Sequence, residues 1–248
     1  VNIVNFENNG LIDKRAITVM GVSSKSGGAI GYFGTGLKYA ISTILRNGMT
    51  ITIYRGLEKL EFTKQKEKIR DHEFDIILMN GQELGFTTQL GRNWETWQAF
   101  RELYSNCIDE NGKIFEGDAY PEDLTTLIRV EGEEFFKQYT LKDNIFISPS
   151  QVPDEIFNSC EVYFNSTGIF YRKVRVKDKV KLLFRYNILS NIDLTEDRTA
   201  KYDFQIAWVI RDAACLSNNK WFIEKMVTKN QGYFEDQIEF CGAGKPSI

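Results

Sequence analysis

Ile30-Gly31-Tyr32-Phe33-Gly34-Thr35-Gly36-Leu37-Lys38-Tyr39-Ala40 sets three glycines at spacings of three and two ahead of an apolar run that holds one lysine. Glycine lets a backbone approach phosphate oxygens without a Cβ in the way, and it tolerates positive φ. A helix opening directly after the glycines turns its free N–H groups and positive dipole end toward the same place. Lys38 adds a full charge. Gly31, Gly34, Thr35, Gly36, Leu37 and Lys38 are therefore candidate phosphate-binding residues. A tight turn capping a helix explains the glycines equally well, so the motif needs a companion.

Residues 101–110 supply one: Arg-Glu-Leu-Tyr-Ser-Asn-Cys-Ile-Asp-Glu. Asn93 is the expected N-cap of the helix that carries them. Trp97, Phe100, Tyr104 and Ile108 recur at helical spacing and are expected to form its core stripe. Glu102, Asn106 and Asp109 stand at i, i+4 and i+7 and share another face. An amide oxygen there suits magnesium, which takes oxygen ligands and keeps several waters. A glutamate one turn away suits orientation or deprotonation of an attacking water. The competing reading is a solvated polar face on an amphipathic helix.

Together the two stretches resemble the GHKL ATPase superfamily of gyrase-type topoisomerases, large heat-shock chaperones, MutL, MORC proteins and histidine kinases. The family's N-box, Glu-x-x-x-Asn-x-x-Asp, is matched by Glu102, Asn106 and Asp109. Its glycine box resembles residues 30–40, most closely in the chaperone and MORC branches. Gly21-Val22-Ser23-Ser24-Lys25-Ser26-Gly27 resembles the lid over the nucleotide, with Lys25 in reach of a phosphate or simply a surface lysine. Ser and Gly dominate residues 21–30, which are expected to be mobile without nucleotide. Asn8-Asn9-Gly10 takes the place of the Asp-x-Gly box, making Asn8 and Gly10 base-side candidates. The chain is also similar to phage-type ATP-binding proteins with Ile-Asp-x-Arg-Ala before the lid and Phe-Gly-Thr-Gly-Leu-Lys-Tyr-Ala after it.

The resemblance covers roughly residues 1–130 and implies an α+β fold: a Bergerat-type two-layer α/β sandwich with a mixed, mainly antiparallel sheet. It implies ATP and Mg2+ as ligands, with Asn106 on the metal and Glu102 as the catalytic residue. The chain departs from the family twice. The N-box follows the other motifs, as in a circular permutation, which is tolerable where termini lie close together at the surface. The family aspartate that meets the adenine amino group is Asn8, whose carbonyl end accepts from an exocyclic amine and whose amide end does not. Adenine remains the expected base.

The remaining sequence bounds these readings. The 248 residues carry 42% hydrophobic and 13% aromatic residues and a net charge of −3, enough for a sizeable core and with no sign of a broad nucleic-acid surface. The four cysteines (107, 160, 215 and 241) form no Cys-x-x-Cys pair. They read as reduced, mostly core cysteines of a cytoplasmic protein. His72 is the only histidine, in a charged segment, so a Ser-His-Asp hydrolase is not expected. No apolar run reaches membrane-spanning length, and no signal peptide is visible.

Periodicity predicts strands at 1–6, 49–54, 58–64, 74–80, 82–90 and 125–131, with 64–71 as a hairpin tip or loop. Helices are expected at 12–20, 37–46 and 94–109. From residue 132 a smaller α/β unit is expected. Its strands are predicted at 144–147, 160–165, 169–176 and 181–188, and its helices at 202–216 and 220–228. Such a unit, by the resemblance, sends a basic residue to the γ-phosphate. Arg198 in Leu194-Thr195-Glu196-Asp197-Arg198 is either that sensor or half of a structural ion pair. Lys173, Arg175 and Lys179 read as solvated strand or turn residues.

Two functions fit. One is magnesium-dependent ATP binding and slow hydrolysis that drives lid closure or a conformational or dimerisation cycle. The other is a non-catalytic nucleotide switch or protein-interaction module. Expected partners are ATP/ADP and a second copy or another protein, with no strong nucleic-acid signal and no membrane.

Overall fold

A computed structural model describes residues 2–20, 35–148, 150–195, 198–228 and 232–240. The chain divides into two units, Val1–Lys142 and Asp143–Ile248.

The first unit is built on seven strands: β1 (Ile3–Asn9), β2 (Thr50–Arg55), β3 (Glu58–Ile69), β4 (His72–Met79), β5 (Gln82–Thr87), β6 (Lys113–Glu116) and β7 (Thr125–Glu131). They form one sheet in the order β5-β4-β3-β2-β7-β1-β6. Every pairing in it is antiparallel, where a mixed sheet was expected. Hairpins explain half of this arrangement. Asn80 and Gly81 both take positive φ (51° and 78°) between β4 and β5, as an Asn-Gly hairpin turn requires. The expected tip at 64–71 is instead mostly strand. Lys66 faces Asp75 and Lys68 faces Glu73 across the ladder, so opposite charges support the pairing and the turn shrinks to Arg70 and Asp71.

Helices α1 (Arg15–Thr18), α2 (Gly36–Arg46), α3 (Thr96–Asp109) and α4 (Glu133–Thr140) complete the unit. The predicted helix at 12–20 shortens to the single turn of α1. α2 packs on β2 and β3, α3 on β1 and β6, and α4 on β1 and β7, with α3 against both other helices. Phe6, Phe100 and Phe135 are fully buried, with ring centroids 5.5–6.1 Å apart, and lock β1, α3 and α4 together. α4 therefore belongs to the first unit, and the division falls after it rather than before it at residue 131.

Two expectations for α3 change. Its N-cap is Glu95, not Asn93. The Glu95 N–H donates to Gln98 Oε1 at 2.7 Å while the Glu95 side chain accepts from the Gln98 N–H. This reciprocal box satisfies two N–H groups that the first turn leaves open. Gln98→Ala is expected to cost about 1 kcal/mol, read as a lowered midpoint in chemical denaturation. The core stripe is also rotated: Ala99, Phe100, Leu103 and Cys107 are buried, and Ile108 is 50% exposed. The rotation carries Glu102 into contact with α2 instead of solvent.

The second unit holds β8 (Glu155–Ile156), β9 (Cys160–Tyr163), β10 (Gly168–Tyr171), β11 (Val174–Lys177) and β12 (Arg185–Ile188) in the order β11-β10-β12-β9-β8. β10 and β12 are parallel and the other pairs antiparallel. The single strand predicted at 169–176 is a hairpin, because Arg172 and Lys173 take φ of 49° and 70° and reverse the chain. The strand predicted at 144–147 reduces to one bridge, Phe146 to Val174. Helices α5 (Asp203–Leu216) and α6 (Lys220–Val227) lie close to their predicted positions. Ile206, Ile210 and Phe222 from them pack with Val162, Ile169 and Tyr186 into the core of this unit.

Candidate functional site

The two motifs meet at the N-terminus of α2. A Cβ built on Gly36 would fall inside both carboxylate oxygens and Cδ of Glu102. Only a residue without a side chain lets the start of α2 approach that carboxylate. The positions are 102 − 36 = 66 residues apart in sequence. The carboxylate, 3% exposed, meets the helix end whose open N–H groups favour negative charge. Asn106 Nδ2 donates to Glu102 Oε1 at 2.8 Å. That bond uses the Asn106 amide nitrogen, so the amide's acceptor atom is Oδ1. Asp109 is half-buried one turn further along α3. Glu102, Asn106 and Gly36 thus form one cluster, and Thr35, the N-cap of α2, is buried beside it at 7% exposure. Leu37 is half-buried in the first turn of α2.

Asn8 lies beside the C-terminal turn of α3, which also carries Asn106. Val4, Phe6 and Asn8 alternate along β1 on its helical side, as the Phe6–Phe100 contact shows. Asn8 Nδ2 donates to the Cys107 carbonyl at 3.2 Å. This orients Oδ1 as an acceptor, and no described residue donates to it. A carboxylate at this position would set an oxygen against that carbonyl, which gives a local reason for an amide. Burial pushes the Cys107 thiol up to about 12, so it stays protonated at neutral pH.

Two residues here escaped the sequence reading. Gly112 has no room for a Cβ, which would strike the Glu7 carbonyl, Cys107 Sγ and Asn8 Nδ2. Thr126 stands opposite Asn8 in the β1–β7 register. Its hydroxyl donates to the Gly10 carbonyl at 2.8 Å and accepts from the Ile12 N–H at 2.8 Å. Together with the Gly10 N–H to Leu124 carbonyl bond at 2.7 Å, it fixes the turn after β1, where Gly10 takes φ of 92°. No local sequence signal marks Thr126, because register between residues 118 positions apart (126 − 8 = 118) is a property of the folded sheet.

Other candidates sit apart from this cluster. Lys38 is fully buried, and its Nζ donates to the Ala16 carbonyl at 2.7 Å. It ties α1 to α2 in place of presenting a charge at the surface, and burial lowers its ammonium pKa. The Trp94 and Tyr39 rings lie 5.1 Å apart, tilted by 32°, and Trp97 lies under the buried Arg101 guanidinium at 5.0 Å. Arg198 belongs to the second unit, 7% exposed, with its N–H bonded to the Thr195 carbonyl at 2.9 Å. Lys25, Gly31, Gly34, the 21–30 segment, Glu196, Asp197 and Cys241 lie outside the described residues.

Among the described residues, no group of three or more His, Cys, Asp or Glu side chains gathers as a metal site. A magnesium ion held by one amide oxygen, phosphates and water does not require one. No described helix is long and apolar enough to cross a membrane. Comparison with family models, curated proteins and solved structures gave no significant match.

Proposed function

We propose that the first unit is a nucleotide-binding domain of GHKL type, a Bergerat-type sandwich in permuted order, that binds ATP with Mg2+ and hydrolyses it slowly. The observation that carries this reading is the contact between Gly36 and the Glu102 carboxylate, with Asn106 bonded to the same carboxylate. Two motifs, each weak alone, stand together where a phosphate cradle, a metal ligand and a water-activating carboxylate are needed. Phosphoryl transfer rests mainly on positioning and charge stabilisation. In the proposal, the backbone of Gly36 and Leu37 at the start of α2 receives phosphate oxygens, and Asn106 Oδ1 contributes to magnesium. Glu102 orients or deprotonates the attacking water. Magnesium, when bound, neutralises charge on the phosphates.

Asn8 Oδ1 is proposed to accept from the exocyclic amine of adenine. One such hydrogen bond is worth about 0.5–1.5 kcal/mol. Asn8→Ala is therefore expected to weaken ATP and ADP by the same factor, about three- to tenfold, because the contact is to the base and not to the phosphates. Titration calorimetry with both nucleotides reads this, and a loss confined to ATP would move Asn8 out of the base site.

The second reading is a nucleotide-dependent switch without turnover that engages a second copy or another protein. Lys38 favours it, because its buried ammonium donates to the Ala16 carbonyl instead of standing at the surface. A phosphate-release assay on the wild type separates the readings. Magnesium-dependent release above background supports the ATPase, and ATP binding with no release supports the switch.

A further inference from the structure

The net charge of −3 conceals an uneven distribution in the second unit. Residues 172–181 hold Arg172, Lys173, Arg175, Lys177, Lys179 and Lys181 against one acid, Asp178. They run from the β10–β11 turn along β11, an edge strand, and beyond it. A lysine-rich edge that discourages pairing with other chains would account for that charge. It does not account for the neighbouring surface. Lys177 pairs with Asp203, the first residue of α5, at 2.5 Å. The pair sets the basic strand beside Tyr202, Phe204 and Trp208, which are 38%, 48% and 55% exposed. These rings pack on one another instead of into the core. Tyr202 and Phe204 are stacked at 5.4 Å, and Phe204 and Trp208 meet edge to face at 4.9 Å. Cations adjoin rings of the same unit: Lys201 over Tyr202 at 5.0 Å, Lys181 over Tyr233 at 4.1 Å and Arg172 over Tyr171 at 5.1 Å. Arg175 is neutralised by Asp178 and Lys177 by Asp203. Among the described residues, Arg172, Lys173, Lys181 and Lys201 make no ion pair with a carboxylate.

We propose that this face binds single-stranded nucleic acid, with Phe204 and Trp208 stacking on bases and the β10–β11 hairpin and Lys201 tracking the phosphates. Proteins that bind single strands without sequence preference combine a cationic track with exposed aromatic faces. An acidic peptide would satisfy the cations, but its carboxylate side chains offer the rings no aromatic face to stack on, and a duplex keeps its base faces stacked inside. The inference is independent of the ATP site, since every residue it uses lies in the second unit.

The test is fluorescence anisotropy of a labelled 20-nucleotide oligo-thymidylate with the full chain, over a series of salt concentrations. The wild type should bind with an affinity that falls as salt rises. Phe204→Ala combined with Trp208→Ala should weaken binding about tenfold or more, whereas Trp208→Phe, which keeps a stacking face, should stay near wild type. Arg172→Ala with Lys173→Ala should flatten the salt slope by about 0.7 per cation removed. Val152→Ala, at an 82% exposed apolar residue of the same unit, should change nothing. Melting curves check that the variants fold, and the exposed substitutions should leave them unmoved. Three results would overturn the proposal: no salt-dependent binding by the wild type; unchanged affinity in the double aromatic variant; or displacement of the oligonucleotide by polyglutamate or duplex DNA as effectively, per charge, as by unlabelled oligo-thymidylate.

Discussion

Glu102→Ala is expected to bind ATP with near wild-type affinity and to lose turnover by about a hundredfold or more, the usual range for a lost general base. Glu102 is 3% exposed and accepts from Asn106, so truncation also removes an acceptor from a half-buried amide. That effect costs about 1–3 kcal/mol of stability, and it would blur the result if alanine were the only variant. Glu102→Gln separates the two effects. It preserves volume and an acceptor for Asn106, but an amide cannot take a proton from water. Both variants should lose phosphate release to a similar degree, with glutamine closer to wild type in melting temperature. Release that survives in Glu102→Gln would assign the chemistry to another group.

Gly36→Ala should reach nearly the same functional loss from the opposite side of the contact. Its added methyl collides with the Glu102 carboxylate, the far end of a flexible side chain. The carboxylate can swing away at little cost to the fold, but it then no longer points where the reaction needs it. The protein should remain folded while turnover falls toward the Glu102→Ala level. The informative comparison is the double variant. With the carboxylate gone, nothing remains for the Gly36→Ala methyl to displace, so the second substitution should add little. A double-mutant cycle on release rates should give a coupling of about tenfold or more between the two positions. Independent, multiplying losses would mean that Gly36 matters for a reason unconnected with Glu102.

The sequence was legible where local chemistry decides structure. The alternating strands, the helix after Gly36 and the helix bearing Glu102 all emerge at nearly their observed positions, because periodicity and turn residues are local signals. The reading of the polar face of α3 was incomplete for a physical reason. Helical spacing says that Glu102 and Asn106 share a face, but not that α2 covers it. The burial of Glu102 depends on Gly36 approaching from 66 positions away (102 − 36 = 66). Lys38 shows the reverse limit: a lysine behind a glycine run reads as a phosphate ligand, and only the position of α1 reveals that Ala16 holds it. Thr126 and the β10–β11 reversal were hidden for the same reason, since register and left-handed φ at Arg172 and Lys173 are set by pairing and not by composition.

The central claim is that a nucleotide is held where Gly36 meets Glu102 and Asn106. Calorimetric titration of a non-hydrolysable ATP analogue, with and without magnesium, into wild type and Gly36→Val tests it most directly. The account predicts magnesium-enhanced binding to the wild type and none to Gly36→Val, whose branched side chain intrudes into the proposed phosphate site, with both proteins folded by circular dichroism. No binding to the wild type, or equal binding to a folded Gly36→Val protein, would contradict it.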